Sequence, residues 1–304
     1  MKRQVGIIGT GWVGASVAIA TLQSGVVDEL LLHDAREDVA EGEAMDLAHG
    51  ASFYPPATVR TARPDEMTSA DIVVVAAGRG GKPGESRLDL LRDNARLTRE
   101  LGHTLRNLRG IIVMVTNPVD VLTQVMTEAS GLPPSRVLGT GTMLDTTRLR
   151  QVLGRELDVD ARSVHGQVIG EHGDSEVVLW SSAAVGGIPL RDWTGWQRNR
   201  EADIATEVRR AAYEIIKRKG ATNHAIGLVT ANLVRCLLRD EHRVLTVSRV
   251  QAATAGVEGV ALSLPAIIGS GGATTVLTPK MDDTERESLI NSAGVLRAAR
   301  RELS

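Results

Sequence analysis

The chain is poor in cysteine and has no long apolar run. Its 304 residues include one cysteine, Cys236, so an intramolecular disulfide and a cysteine-rich metal site are excluded. No stretch approaches the roughly 18 consecutive apolar residues that a membrane-spanning helix needs. Glycines interrupt the apolar N-terminal stretch, and no small-residue cleavage site follows it. We therefore predict a cytoplasmic protein without a signal peptide.

Aromatic side chains are also scarce, whereas the overall charge is nearly balanced. Lys and Arg total 35 against 37 Asp and Glu, which gives a net charge of −2 with neutral histidines. This balance argues against a nucleic-acid partner and gives no reason to expect binding to an acidic membrane surface. With aromatic residues at 2%, the rings of a bound cofactor would have to lie between aliphatic side chains.

Apolar segments alternate with helical patterns through the first half of the chain. Strands that are apolar on both faces and alternate with helices are typical of a parallel sheet covered by helices on both sides. We therefore predict an α/β fold with a doubly wound parallel sheet in residues 1–143. The strands are expected near 4–9, 30–34, 71–78, 111–116 and 137–141.

After about Leu144 the pattern changes to mixed strands and longer helices. A long helical stretch is predicted near 197–238 and a final helix from about 284 to 302. This pattern predicts a second, α+β domain in residues 144–304. No repeat or disordered linker separates the halves, so we expect them to pack closely. The strand-like segments lie near 164–170, 177–187, 245–250 and 259–269.

A motif between the first strand and the first helix is typical of dinucleotide binding. Gly9, Gly11 and Gly14 permit a tight turn, close approach of a pyrophosphate and close helix–strand packing. The free N–H groups of a helix N-terminus favour the phosphate charge. Asp34 ends the second strand, where a carboxylate binds the adenosine ribose and repels a 2′-phosphate. We predict NAD as the cofactor, with Arg36 partly offsetting the preference over NADP.

A histidine between two glycines follows a predicted strand in the second half. Backbone bends at Gly170 and Gly173 favour an accessible His172 imidazole. Histidine exchanges protons near neutral pH, and hydride transfer from an alcohol requires a proton to leave. Asp145 and Arg148 lie three residues apart on a predicted helix, so they share a face. Singly they are explained as a helix N-cap and a solvated arginine, so the catalytic prediction depends on the combination.

Six motifs along the chain resemble those of the L-lactate/L-malate dehydrogenase family. The resemblance implies a Rossmann NAD-binding domain followed by an α+β substrate domain. It implies that His172 is the general acid/base, that Asp145 is its carboxylate partner and that Arg148 binds the substrate carboxylate through two parallel contacts. The motifs are the glycine loop, Asp34 and the segments 77–94, 116–120, 141–150 and 170–176.

The same resemblance assigns further residues. It implies that Arg87 lies on a loop that closes over the substrate and polarises its C2 oxygen. It also implies that Asn117 donates a hydrogen bond to that oxygen, and that the bond from Asn117 to Pro118 is cis. The residues implied to contact NAD are Gly9, Gly11, Val13, Gly14, Asp34, Gly78, Thr116, Asn117 and Thr140.

The choice of 2-oxo acid depends on a position where this chain departs from the family. The family has glutamine there in its lactate branch and arginine in its malate branch, whereas this chain has Gly81. A glycine provides no charge for a second carboxylate and leaves room for bulkier substrates. Glu171, Glu176 and Thr222 resemble the lactate branch. Pyruvate and L-lactate are therefore favoured, and the alternative is malate or a broad range of L-2-hydroxy acids.

Fructose 1,6-bisphosphate is a candidate effector, by resemblance to activated bacterial members of the family. Arg150 and His165 occupy the phosphate-binding positions of those tetramers, at a subunit interface where paired cations repel each other until an anion binds. An ordinary helix arginine and strand histidine explain the pair equally well. We expect a homotetramer, and no metal, nucleic-acid or membrane partner.

Two other classes of function are open alternatives. A non-catalytic NAD-binding protein is expected to lack at least one of His172, Asp145, Arg148 and Arg87, and all four are present. An NAD-using glycosidase shares a dinucleotide fold but usually has a metal site, for which cysteines and histidines are too few here. We therefore predict an NAD-dependent L-2-hydroxy acid dehydrogenase of glycolysis and fermentation.

Overall fold

The computed structural model describes residues 2–80 and 87–303 of the chain. Within these residues the α-helices alternate with strands in the first half and become longer in the second. None of them combines the length and the apolar character needed to cross a membrane. The helices are α1 Trp12–Gln23, α2 Glu37–His49, α3 Arg87–Thr104, α4 Val119–Ser130, α5 Met143–Leu157, α6 Glu201–Lys219, α7 His224–Leu238 and α8 Asp283–Arg301.

The strands of the described residues form one large sheet and two small ones. The large sheet has nine strands in the order β14-β13-β12-β6-β5-β4-β1-β2-β3. The strands are β1 Gln4–Ile8, β2 Glu29–His33, β3 Thr58–Thr61, β4 Ile72–Val75, β5 Ile111–Met114, β6 Val137–Gly139, β7 Val164–His165, β8 Val168–Ile169, β9 Val177–Val178, β10 Ala184–Val185, β11 Ile188–Pro189, β12 Arg243–Val250, β13 Ala261–Gly269 and β14 Gly272–Val276.

The first six strands pair in parallel, in the order β3-β2-β1-β4-β5-β6. The sequence favours this arrangement because β4 and β5 consist almost entirely of β-branched residues that are buried on both faces. Helices cover both faces, and a separate apolar cluster fills the core on each side. The predicted doubly wound parallel sheet is therefore confirmed.

The second half joins this sheet instead of building a large sheet of its own. Strands β12, β13 and β14 pair antiparallel with one another. β12 meets β6 through a single antiparallel pair, Ser248 opposite Gly139. The remaining strands form the short sheets β11-β10-β7 and β8-β9. Mixed short strands and long helices confirm the predicted α+β character of this half.

Several elements differ from the sequence-based expectation. The stretch 197–238 was expected to be one helical run, but it forms α6 and α7 because Gly220 takes a left-handed conformation with φ +85° at the end of α6. Strand β3 was not predicted, since its residues are polar and largely exposed at the sheet edge. Strand β14 was missed for the same reason, because only its first two residues are buried.

Candidate active site

The glycine loop joins β1 to α1 and leaves room at the helix N-terminus. Gly9 has φ +95°, and a Cβ there would lie 2.5 Å from the Ala77 nitrogen. A Cβ on Gly14 would lie 1.8 Å from the Gly9 oxygen, so helix and strand pack too closely for a side chain. Among the residues that the structure describes, a Cβ on Gly11 would meet nothing within 4 Å. No side chain in the described part of the chain caps α1, so the space at Gly11 faces free helix N–H groups and fits a pyrophosphate.

The carboxylate of Asp34 lies beside this loop. Its Oδ2 accepts hydrogen bonds from the Thr10 N–H at 2.9 Å and the Thr10 hydroxyl at 3.3 Å. Its Oδ1 accepts the Arg36 N–H at 3.1 Å. Burial alone would raise the pKa of Asp34, but these donors hold it below its ordinary value. An ionised carboxylate at the end of β2 fits the ribose hydroxyls of NAD.

The strand ends next to the loop supply the other predicted cofactor residues. The Thr116 hydroxyl donates to the Ala77 oxygen at 2.7 Å, and a Cβ on Gly78 would lie 2.3 Å from the Thr116 methyl group. Thr140 is buried at the end of β6. Asn117, Thr116 and Gly78 therefore lie at the carboxyl edge of the parallel strands, where this class of sheet binds its ligands.

His172, Asp145 and Arg148 form one hydrogen-bonded cluster. His172 follows β8 after Gly170, whose φ is +85°. Its Nδ1 lies 2.5 Å from Oδ2 of Asp145, and Nη1 of Arg148 donates to the Asp145 Oδ1 at 2.8 Å. The side chain of Asp145 is only 3% exposed, whereas that of His172 is 23% exposed. Asp145 thus holds the imidazole by its Nδ1 edge, Arg148 holds Asp145, and part of the histidine side chain remains accessible.

The charges of this cluster favour a protonated imidazole. Burial alone would lower the pKa of His172, but the adjacent Asp145 carboxylate outweighs burial and raises it to about 9. Burial would likewise raise the pKa of Asp145, yet the charges of His172 and Arg148 hold it below its ordinary value. At neutral pH the pair is therefore an imidazolium held by a carboxylate, and the imidazolium carries one proton that can be transferred.

Asn117 is oriented as a donor. The peptide bond between Asn117 and Pro118 is cis, as the resemblance implies. The Asn117 side-chain oxygen accepts the Val119 N–H at 3.2 Å, which leaves its NH2 group to donate. The buried Asn94 supports this segment, because its side chain donates to the Asn117 main-chain oxygen at 3.4 Å and accepts the Arg79 N–H at 3.0 Å.

Two buried carboxylates near the cluster were not predicted as site residues with a chemical role. Asp120 is 1% exposed, and its Oδ2 accepts the main-chain N–H of His172 at 2.7 Å. Glu176 is 6% exposed, and burial followed by the Asp145 charge raises its pKa to about 8. Both residues could have been found in the sequence, because each is a carboxylate next to a catalytic motif. In each case apolar residues lie beside it in the chain, which indicates that the carboxylate is buried.

For three of the predicted substrate-binding residues, the described structure shows no contact with His172. Thr222 lies in the loop between α6 and α7, and the neighbouring Asn223 ties that loop to Ser16 of α1 at 2.9 Å. The predicted substrate residues Gly81 and Arg87 cannot be placed, because Gly81 and the side chain of Arg87 lie outside the described residues.

The proposed effector residues lie close together on one side of α5. Nε of Arg150 donates to the Gly166 oxygen at 3.1 Å, and Gly166 follows His165 on β7. Burial, followed by the charge of Arg243, lowers the pKa of Arg150. Two arginines close enough to repel each other are compatible with an anion site.

A dinucleotide-binding sheet and an adjacent proton-exchanging histidine define a nicotinamide-dependent oxidoreductase. Residues 3–139 match the model of the lactate/malate dehydrogenase NAD-binding domain, and residues 142–303 match that of the lactate/malate dehydrogenase α/β C-terminal domain. The chain therefore belongs to the lactate/malate dehydrogenase family, and the predicted NAD cofactor is confirmed.

Similar proteins cover the whole chain. An L-lactate dehydrogenase of Thermus aquaticus is 44% identical over 97% of this chain and 98% of its own length. An L-lactate dehydrogenase of Kosmotoga olearia is 43% identical over 97% of this chain and 95% of its own. The crystal structure of a minor L-lactate dehydrogenase from Enterococcus mundtii is 39% identical, with a TM-score of 0.97, and covers 100% of this chain and 99% of that one.

Proposed function

We propose that this protein is an NAD-dependent L-lactate dehydrogenase, which interconverts pyruvate and L-lactate. The observation that carries the proposal is the hydrogen-bonded set of His172, Asp145 and Arg148 beside the cofactor edge of the sheet. The full-length similarity to proteins named L-lactate dehydrogenase supports it. A non-catalytic NAD-binding protein would have no need of a buried carboxylate paired with an accessible imidazole.

His172 is the proton donor and acceptor of the proposed reaction. NAD, when bound, takes up or supplies the hydride at the substrate C2. In the reduction of pyruvate, protonated His172 transfers its proton to the C2 oxygen, and in the oxidation of lactate neutral His172 accepts it. Asp145 holds the ring by Nδ1, so that Nε2 is the nitrogen left to face the substrate. Proton transfer of this kind contributes about 10²–10⁴-fold in rate.

Arg148 is the proposed binding residue for the substrate carboxylate. One of its nitrogens donates to Asp145, which fixes the guanidinium and leaves the other nitrogens for a two-pronged contact. The side chain is only 13% exposed, so a carboxylate bound there is largely screened from water. Asn117 is placed to donate to the C2 oxygen, and Arg87 is proposed to polarise the same oxygen.

The proposal also concerns which 2-oxo acid is the preferred substrate. Gly81 provides neither the amide nor the guanidinium that the two branches of the family have at that position. We infer that pyruvate is preferred because a dicarboxylate would leave one carboxylate without a cation. Malate dehydrogenase activity is the second candidate.

Steady-state NADH oxidation with pyruvate, oxaloacetate and larger 2-oxo acids tests this choice. We expect the highest kcat/KM with pyruvate. A Gly81→Gln variant should sharpen the preference for pyruvate, and its matched partner Gly81→Arg should move it toward oxaloacetate. A wild-type enzyme with a higher kcat/KM for oxaloacetate would overturn the choice of substrate.

Assembly, location and regulation are further inferences by family likeness. We infer a homotetramer in the cytoplasm that acts in glycolysis and fermentation, with residues 1–143 binding NAD and residues 144–304 binding substrate. Arg150 and His165 are proposed to bind fructose 1,6-bisphosphate at a subunit contact. The absence of any effect of this compound on the KM for pyruvate, or on tetramer formation, would remove the effector from the proposal.

A further inference from the structure

Asp120 is a fully buried carboxylate in the first turn of α4. It follows Asn117 by three residues and is 1% exposed. Its Oδ2 accepts the main-chain N–H of His172 at 2.7 Å, from a loop 52 residues further along the chain. This hydrogen bond connects the segment that carries Asn117 to the segment that carries the proton-exchanging histidine.

A charged side chain is an expensive means of accepting one N–H group. Burial of a carboxylate disfavours its ionised form, whereas an amide or hydroxyl oxygen would accept the same hydrogen bond at a smaller cost. The first turn of a helix stabilises a negative charge only modestly. A charge at this position is therefore more than the hydrogen bond to His172 requires.

Charged groups from several elements face the imidazole of His172. Asp145 and Arg148 approach it from α5, and Asp120 approaches it from α4. On its own loop, Glu176 interacts with His172 and is itself next to Arg209 of α6. Glu171, also on this loop, acts on Asp120. Of the two carboxylates that act on His172 from other elements, only Asp120 also bonds to its main chain.

We propose that Asp120 is a positioning residue, which fixes the backbone of His172 through its hydrogen bond and favours the protonated imidazole through its charge. This inference deepens the proposed function, because it assumes that His172 carries the proton. Asp145 holds the ring from one side, and Asp120 holds the main chain to which the ring is attached.

The ionisation of Asp120 agrees with this role at neutral pH. Burial raises the pKa of Asp120 to about 6, against the opposing effects of the His172 main-chain N–H and the His172 charge. The carboxylate is therefore mostly ionised at pH 7. Its negative charge, added to that of Asp145, helps to keep the pKa of His172 above its ordinary value.

Two substitutions separate the hydrogen bond from the charge. Asp120→Asn keeps an oxygen for the His172 N–H and removes the charge, whereas Asp120→Ala removes both. In pyruvate reduction, kcat/KM falls at high pH when His172 loses its proton. We expect Asp120→Asn to move this limb to lower pH by roughly one unit. Asp120→Ala should show the same shift and a further loss of about tenfold in kcat, since the loop is no longer held.

Glu128→Gln is the matched control, because it removes an exposed carboxylate from the same helix. It should leave both the pH profile and kcat unchanged. Variants are compared only when their melting temperature and NADH affinity are retained. If Asp120→Asn does not fold, Asp120→Ser replaces it, because the hydroxyl also offers an uncharged oxygen, and if Asp120→Ala does not fold, Asp120→Leu replaces it. An unchanged high-pH limb in Asp120→Asn, or equal kcat values for Asp120→Asn and Asp120→Ala, overturns the proposal.

A histidine NMR titration separates this inference from the proposed function. The chain has seven histidines, and the Cε1–H signal of His172 is assigned by its loss in His172→Gln. The midpoint of this signal should fall by roughly one pH unit in Asp120→Asn whether or not pyruvate is the substrate. An unchanged midpoint contradicts the role of Asp120, whereas a lowered midpoint without turnover of any 2-oxo acid contradicts the proposed function alone.

Discussion

The cofactor loop and the catalytic cluster are built by opposite means. The loop at Gly9–Gly14 works through missing side chains, since open space and free N–H groups form the place for a phosphate. The cluster works through side chains that are present and buried, with His172, Asp145 and Arg148 joined by short hydrogen bonds. One site is defined by shape and the other by charge.

This difference determines how each site should fail. In the cofactor loop, a substitution that adds volume should be damaging. A substitution that removes a charge without changing the volume should have little effect there, because the glycines carry no charged side chain. The catalytic cluster should show the reverse behaviour, because isosteric substitutions retain its packing and abolish its electrostatics.

The largest expected effect is at the catalytic histidine. His172→Gln retains the approximate size of the side chain and removes the exchangeable proton. We expect kcat for pyruvate reduction to fall by about 10²–10⁴-fold, with NADH affinity unchanged. Stopped-flow measurement of turnover and fluorescence titration of NADH check the two parts. Equal losses in kcat and in NADH affinity would show that the two sites are not separable.

A conservative substitution of the substrate-binding arginine should have the next largest effect. Arg148→Lys retains the charge and loses the two-pronged geometry. We expect kcat/KM for pyruvate to fall by about 10–100-fold, mostly through KM. Arg210→Lys, an exposed arginine on α6, serves as the control and should be neutral. A fully active Arg148→Lys enzyme would place the carboxylate elsewhere.

Two glycines of the same loop should respond differently to the same added methyl group. Gly14→Ala places its Cβ 1.8 Å from the Gly9 oxygen, so we expect a lower melting temperature or loss of folding. Gly11→Ala meets open space, so the fold should be retained while NADH affinity falls by about tenfold. Thermal unfolding with and without NADH measures both effects. Unchanged NADH affinity in Gly11→Ala would locate the phosphate elsewhere.

The smallest effect on activity is expected at Glu176. Burial and the Asp145 charge raise its pKa to about 8, so the side chain is mostly neutral at pH 7 and Glu176→Gln should leave kcat within about twofold. The group binds its proton more tightly when folded, so its stabilising contribution is complete below its unfolded pKa and is lost as pH rises through about 8.

Glu176→Gln should therefore become more stable than the wild type as pH rises from about 5 to 8. The difference in melting temperature, measured across this range, checks the sign. A variant that is uniformly destabilised at all pH values would show that the carboxyl oxygens are needed for packing and not merely tolerated.

The cofactor loop was predictable from the sequence because its chemistry is local. Gly9, Gly11 and Gly14 lie close together between a predicted strand and a predicted helix, and this context, with Asp34 at the end of the next strand, indicates phosphate binding. The catalytic pair was predictable through the motifs that carry it, although Asp145 and His172 are 27 residues apart and nothing local brings them together. Asp120 was not recognised as a contact of His172, because a hydrogen bond to a main-chain N–H leaves no trace in the spacing of side chains.

The edges of the sheet were predictable to a smaller extent. The buried strands β4 and β5 stand out by their β-branched runs, whereas β3 is polar and becomes a strand only by pairing with β2. The place where β12 joins the parallel strands was also not predictable, since it depends on one residue pair.

That single pair has a consequence for how such a chain can diverge. A Cβ on Gly139 would lie 3.1 Å from the Ser248 Cβ, and one on Gly141 would lie 2.1 Å from the Ser263 hydroxyl. At this boundary, residues of the two halves are therefore packed too closely to admit a further side chain. A recombination that exchanged one half for that of a distant relative would therefore have to bring matching residues at 139, 141, 248 and 263.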